Sequence, residues 1–117
     1  MKILFIDDEF SRAVPLLRAG FDVYITCDIE VVRAYLEHCK FNLICLDHDM
    51  PKHTGYEIAQ LCIIERNIPV IIHSMNHAGA KRISQLLAEN AVSNKIIPII
   101  LKSFVSNVDA FIRQMNK

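Results

Sequence analysis

What most constrains this chain is a strict alternation. Short, nearly uninterrupted apolar runs take turns with longer segments of helical period. The runs are KILFI (2–6), FDVYIT (21–26), FNLICL (41–46), PVIIH (69–73) and KIIPIIL (95–101). A strand that is apolar on both faces must be covered on both faces, which is the condition of a parallel sheet between helical layers. Between the runs, Val31/Val32, Tyr35/Leu36 and Cys39 recur at helical spacing. So do Ile58, Leu61/Cys62 and Glu65, behind a capping box from Thr54 to Glu57. Ala80, Ile83 and Leu86/Leu87 mark a fourth helix, and Val105, Val108, Phe111/Ile112 and Met115 a fifth. The first helix is expected over about 11–19, with Pro15 inside it and Gly20 ending it. The order strand–helix, repeated five times, predicts an α/β fold with a five-stranded parallel sheet of order 2-1-3-4-5 and helices on both faces. The 117 residues are expected to form a single domain, 1–117, without linkers or repeats.

Charge excludes some partners. Thirteen basic and thirteen acidic residues cancel, so bulk composition gives no nucleic-acid-binding surface and no attraction to a membrane. The apolar start of MKILFIDDEF is too short for a signal peptide or a membrane span, and a cytoplasmic location is expected. Cys27, Cys39, Cys45 and Cys62 show no C-x-x-C spacing and lie in or beside apolar stretches. They read as reduced, buried thiols, with neither a zinc site nor a disulfide framework.

Local charge is built by position instead. In the order 2-1-3-4-5 the chain reverses direction between strands 1 and 3, which opens a crevice at their carboxyl ends. Strand 1 ends in Asp7 and Asp8, followed by Glu9; strand 3 ends in Asp47, His48 and Asp49. Strand 4 delivers His73 and Ser74 to the same rim, and strand 5 delivers Lys102 and Ser103. Like charges gathered this closely destabilise a fold unless something compensates them. Mg²⁺, a hard cation that takes a few carboxylates and keeps several waters, is the natural compensator. Lys102 is placed to reach in as a second cation. Asp28 reads as the cap of helix 2, and either Ser74 or Asn76 as the cap of helix 4. The start of helix 4, beside the crevice, favours a bound phosphate.

These residues carry a resemblance over essentially the whole chain. The pair Asp7-Asp8, the segment DHDMPKHTG (47–55), Ser74, and Lys102 followed by Phe104 resemble a response-regulator receiver domain, which has a flavodoxin-like (βα)5 fold. Ser103 departs from the proline that receivers usually place after the lysine. The resemblance implies that Asp7, Asp8 and Asp47 hold Mg²⁺ and that Asp47 attacks a phosphoryl group whose oxygens meet Ser74 and Lys102. LDHDM (46–50) and HSMNHAG (73–79) narrow it further. They are similar to the receiver-like family predicted to process cyclic phosphates, whose members show an acid pair, an LDHDL-like segment and an HSxNxxG-like segment.

Of the five histidines, His38 is expected on an exposed helix face, while His48, His53, His73 and His77 fall at the active rim. His73 is the candidate proton carrier, and Asp49 adds a carboxylate to the metal group and should raise the pKa of at least one acid. Strand alternation would turn His48 and His73 away from Asp47 and Ser74, so that both, like His77, would orient the acids from behind. The resulting reading is a Mg²⁺-dependent phosphoesterase acting on a small cyclic or nucleotide-type phosphate. The groups assigned to it are Asp7, Asp8, Asp47 and Asp49 at the metal, Ser74, Asn76 and Lys102 at the phosphate, and Asp47, His73 and Lys102 in the chemistry. Two other readings stand beside it. One is a stand-alone receiver phosphorylated on Asp47 by a histidine kinase or another phosphodonor, and the other is a non-catalytic binder of a phosphorylated nucleotide.

Overall fold

The computed structural model describes residues 1–65, 67–99 and 102–115. Strands β1 (Lys2–Ile6), β2 (Asp22–Thr26), β3 (Leu43–Leu46), β4 (Val70–Ile72) and β5 (Asn94–Ile96) alternate with helices α1 (Val14–Arg18), α2 (Ile29–His38), α3 (Gly55–Ile64), α4 (His77–Glu89) and α5 (Phe104–Met115). All strand pairs are parallel and the order is β2-β1-β3-β4-β5, as the alternation predicts.

The apolar runs explain both layers. Successive side chains of a strand point to opposite faces, so each buried run feeds two cores. Leu4, Ile6, Ile44, Leu46, Val70 and Ile72 pack against α2, α3 and α4. Ile3, Phe5, Leu43, Cys45 and Ile71 pack against Ala13 and Leu16 on one side of the chain and Val108, Phe111 and Ile112 of α5. The helix starts follow their caps. Asp28 accepts from the backbone N–H groups of Glu30 and Val31, and Thr54 and Glu57 close the expected capping box. Of the two candidates for α4 the cap is Asn76, whose Oδ1 accepts from Gly79 N at 2.9 Å.

Three expectations change. The first helix is split into a short 3-10 helix, Phe10–Ala13, and α1, which begins late enough that Pro15 sits in its first turn. There the missing N–H costs nothing. Strand β5 ends at Ile96 although the apolar run continues. Pro98 has no N–H to give, and the chain beside it keeps only Ile97 N to Ile72 O (2.9 Å) and Ile99 N to His73 O (3.3 Å). The last residues of that run, Ile100 and Leu101, lie outside the described residues. Finally, Cys45 and Cys62 are buried, but Cys27, just past edge strand β2, and Cys39, at the end of α2, are partly exposed. Among the described residues no helix is long and apolar enough to cross a membrane.

Candidate functional site

Strand register builds the site. Ile6 pairs with Leu46 and Leu46 with Ile72, so one step further Asp7, Asp47 and His73 stand in a row on three adjacent strands. Backbone bonds from Asp47 N to Ile6 O and from His73 N to Leu46 O, both 3.0 Å, hold that row. Its side chains share the face of Phe5, Cys45 and Ile71. His73 is therefore not turned away from the acids, because alternation separates neighbours in sequence and aligns neighbours across strands. Its ring reaches across to the end of β1, where Nε2 meets Asp7 Oδ2 at 2.8 Å with both side chains fully buried. Phe5 stacks on the imidazole (centroids 4.6 Å apart) and Phe104 meets it edge-on at 6.3 Å. Among the described residues His73 Nδ1 has no hydrogen-bond partner. With Asp7 ionised, Nε2 is the donor.

A residue that the sequence reading passed over completes the group. Arg12, carried back over the crevice by the 3-10 helix, places Nη1 3.3 and 3.5 Å from the two Asp7 oxygens and 3.7 Å from Asp47 Oδ2. Its Nε lies 3.2 Å from Glu9 Oε2. The available signal was a basic residue five positions after Asp7, but only a tight turn, not the expected helix, brings it over the acids.

These contacts split the two buried carboxylates. Burial pushes the Asp7 carboxyl up, but the hydrogen bonds from His73 and Glu9 N and the charges of His73 and Arg12 outweigh it, so Asp7 titrates below its ordinary value. Burial and the neighbouring Asp7 charge push Asp47 up, against opposition from His73, His48 N and the Ser74 hydroxyl, and it titrates above its ordinary value. Arg12 is burdened by desolvation, yet the facing carboxylates raise its pKa.

The DHD and HSMNHAG segments interlock. His48 Nδ1 donates to Asp49 Oδ1 at 2.7 Å, and Asn76 Nδ2 donates to the same oxygen at 3.2 Å. Asn76 thus caps α4 with its oxygen and ties down the loop after β3 with its nitrogen. The His48 ring packs against α4 at Gly79, where an added Cβ would stand 2.5 Å from ring carbons Cγ and Cδ2. Gly55 is demanded in the same way, since a Cβ there would collide with Asp47 O, and its N–H donates to His48 O at 2.8 Å.

The other named residues fall as follows. Ser74 is buried, its hydroxyl favours the ionised form of Asp47, and it accepts from Asn76 N at 3.0 Å. Asp8 is exposed beside Asp7. Asp49 is not in the converging group: its side chain is 66% exposed and spent on His48 and Asn76, which hold its pKa low. The raised acid is Asp47, and burial is the leading cause. His77 opens α4 and is exposed, and His53 pairs with Glu57 at 3.1 Å. His38 is an exposed residue at the end of α2. Lys102 is exposed just before α5 and, among the described residues, makes no ion pair with the acids.

One oxygen each from Asp7, Asp8 and Asp47 lies within 4.8 Å of the others. Three hard donors, only partly neutralised by Arg12, fit Mg²⁺ with its remaining positions filled by water or substrate oxygen. Residues 2–89 match the family described as the Cyclic-phosphate processing Receiver domain. The chain is 31% identical over 121 residues to the probable transcriptional regulator ycf27 of Porphyridium aerugineum, covering 99% of itself and 50% of that protein. It therefore spans about half the length of this curated relative. A CheY-like receiver domain protein from Methanospirillum hungatei superposes with a TM-score of 0.77 at 20% identity, covering 98% of this chain and 95% of that one. The response regulator TrrA from Thermotoga maritima, solved in complex with Mg(2+)-BeF, does so with a TM-score of 0.70 at 20% identity, covering 93% and 96%. At these identities the structural likeness establishes the receiver fold, and the family match is the more specific finding. The chain belongs to the cyclic-phosphate processing receiver domain family.

Proposed function

We propose that this receiver domain binds Mg²⁺ and hydrolyses a small cyclic or nucleotide-type phosphate. The carrying observation is the interlock of His48, Asp49, Asn76 and Gly79, which fastens the loop after β3 to the start of α4. A wall tied in this way suits a preformed substrate site better than one that rearranges when an aspartate is phosphorylated. Asp7, Asp8 and Asp47 would hold the metal, which when bound supplies charge to neutralise phosphoryl oxygens. His73 fixes the direction and ionisation of Asp7 from below, a positioning role in place of direct proton carriage to substrate. Asp47, with its raised proton affinity and the Ser74 hydroxyl beside it, is placed to take the proton of an attacking water. Lys102 and the start of α4 at Asn76 supply phosphate contacts at the rim. Cytoplasmic, single-domain action on a small ligand, without nucleic acid or membrane, completes the reading.

A second reading has its own observation. Asp47, Ser74 and the Asp7-Asp8 pair match residues of a receiver's phosphoacceptor group, and the solved neighbours are response regulators, one of them holding Mg(2+)-BeF. In that reading a histidine kinase or other phosphodonor is the partner. A panel of cyclic nucleotides followed by phosphorus NMR in Mg²⁺, beside acetyl phosphate labelling, separates the two. Ring opening lost in Asp47→Asn supports hydrolysis. An acid-labile phosphoryl group on Asp47 without turnover supports the receiver switch, and ligand retained without product supports a binder.

A further inference from the structure

We infer that Arg12 is an exchangeable cation: it neutralises Asp7 and Asp47 while the crevice holds no ligand, and it moves to the phosphate when Mg²⁺ takes those carboxylates. The inference rests on the reading that a divalent ion and a phosphate share this crevice. Nη1 lies within 3.7 Å of carboxylate oxygens on both Asp7 and Asp47, two of the three acids that converge as metal donors. A guanidinium and a metal ion drawn to the same oxygens repel each other, so these oxygens cannot serve both cations at full strength. Arg12 is a poor permanent plug. Its contacts with Asp7 are long, at 3.3 and 3.5 Å, and its side chain keeps 31% of its exposure. One edge of the guanidinium is held elsewhere, because Nε pairs with exposed Glu9 at 3.2 Å. The guanidinium can thus leave the acids by turning about a retained contact. A planar fork of donors is also better matched to phosphoryl oxygens than an ammonium is. Lys102, the other cation of the rim, makes no ion pair among the described residues, which leaves Arg12 as the cation already in the crevice.

The exchange links the two ligands. Mg²⁺ and phosphate should each favour the arrangement that admits the other, and the coupling must be reciprocal. Calorimetric titration of the full chain with Mg²⁺ alone, and with inorganic phosphate at saturating Mg²⁺, tests this in wild type, Arg12→Gln and Arg12→Lys. Arg12→Gln should bind Mg²⁺ roughly five- to tenfold more tightly and phosphate roughly tenfold more weakly, as expected for removing a partly exposed ion pair and a charged phosphate contact. Arg12→Lys should fall between. Movement is read separately from charge, in the Nε–H NMR signal of Arg12, assigned by its loss in Arg12→Gln. It should shift on adding Mg²⁺ and again on adding phosphate. Mg²⁺ affinity within twofold of wild type in both variants, or an Arg12 signal that ignores both ligands, would overturn the exchange. No measurement here requires turnover, so absent hydrolysis would count against the proposed activity and leave this inference standing.

Discussion

Replacing Gly79 with alanine tests the interlock that shapes the site wall. The new Cβ would stand 2.5 Å from Cγ and Cδ2 of His48 and 2.7 Å from its Nδ1. Ordinary carbon contacts begin near 3.5 Å, so the ring must retreat by about 1 Å. It cannot do so freely. Its Nδ1 is 2.7 Å from Asp49, and the side chain is only 13% exposed. Overpacking of this kind costs about 2 kcal/mol. Against it, Gly79 lies in the first turn of α4 at a negative φ, where alanine gains up to about 1 kcal/mol of helix propensity. Gly79→Ala should therefore lose about 1 kcal/mol of stability in urea titrations. In a His48→Ala background the obstruction is gone, and the same substitution should gain about 1 kcal/mol, a coupling of about 2 kcal/mol between the sites. Equal losses in both backgrounds would refute the argument, since the clash would then lie with something other than the imidazole.

Asp7→Asn should destabilise by about 3 kcal/mol at neutral pH, because it strands a fully buried His73 and leaves Arg12 facing an amide. Since the native Asp7 carboxyl is the more acidic, its contribution is complete above its ordinary range and fades as pH falls through the native value. The gap between wild type and variant in urea titrations should shrink on acidification. Asp47 has the opposite sign: its native pKa is raised, so its ionisation costs stability as pH climbs from the ordinary value through the native one. In metal-free buffer Asp47→Asn should be more stable than wild type at neutral pH, with the advantage vanishing near pH ~4, where the unfolded carboxyl also keeps its proton. Thiol labelling of native protein should modify Cys27 and Cys39 but spare Cys45 and Cys62, whose thiols burial raises, that of Cys62 to about 12.

The fold was readable because its information is periodic. Runs such as FNLIC and PVII can only be strands between two helical layers, and acids at their carboxyl ends could be assigned to one rim by topology alone. Register was not readable. Whether His73 turns from the acids or reaches beneath them depends on how β1, β3 and β4 align, and the aligned row reversed the expectation drawn from one strand at a time. Arg12 was hidden for another reason, since a long side chain reports its target only once the backbone after it is known to form a 3-10 turn. Asp49 looked like a metal donor because it is an acid beside acids, but its carboxylate was already committed to His48 and Asn76. The glycines at 55 and 79 fitted motifs by spacing, while the backbone oxygen and the imidazole that require them became visible only in three dimensions.

The bond between Asp7 and His73 joins residues 66 positions apart, across an intervening strand. Such a pair cannot form in any local fragment, because β1, β3 and β4 must all be in place before the two side chains can meet. Parallel pairing of this kind closes long loops before it is rewarded, so the site exists only once all three strands are paired. Anything that binds there meets only the finished chain and slows its loss by mass action. For a nascent or heat-stressed copy of this domain, ligand capture would certify that folding is complete.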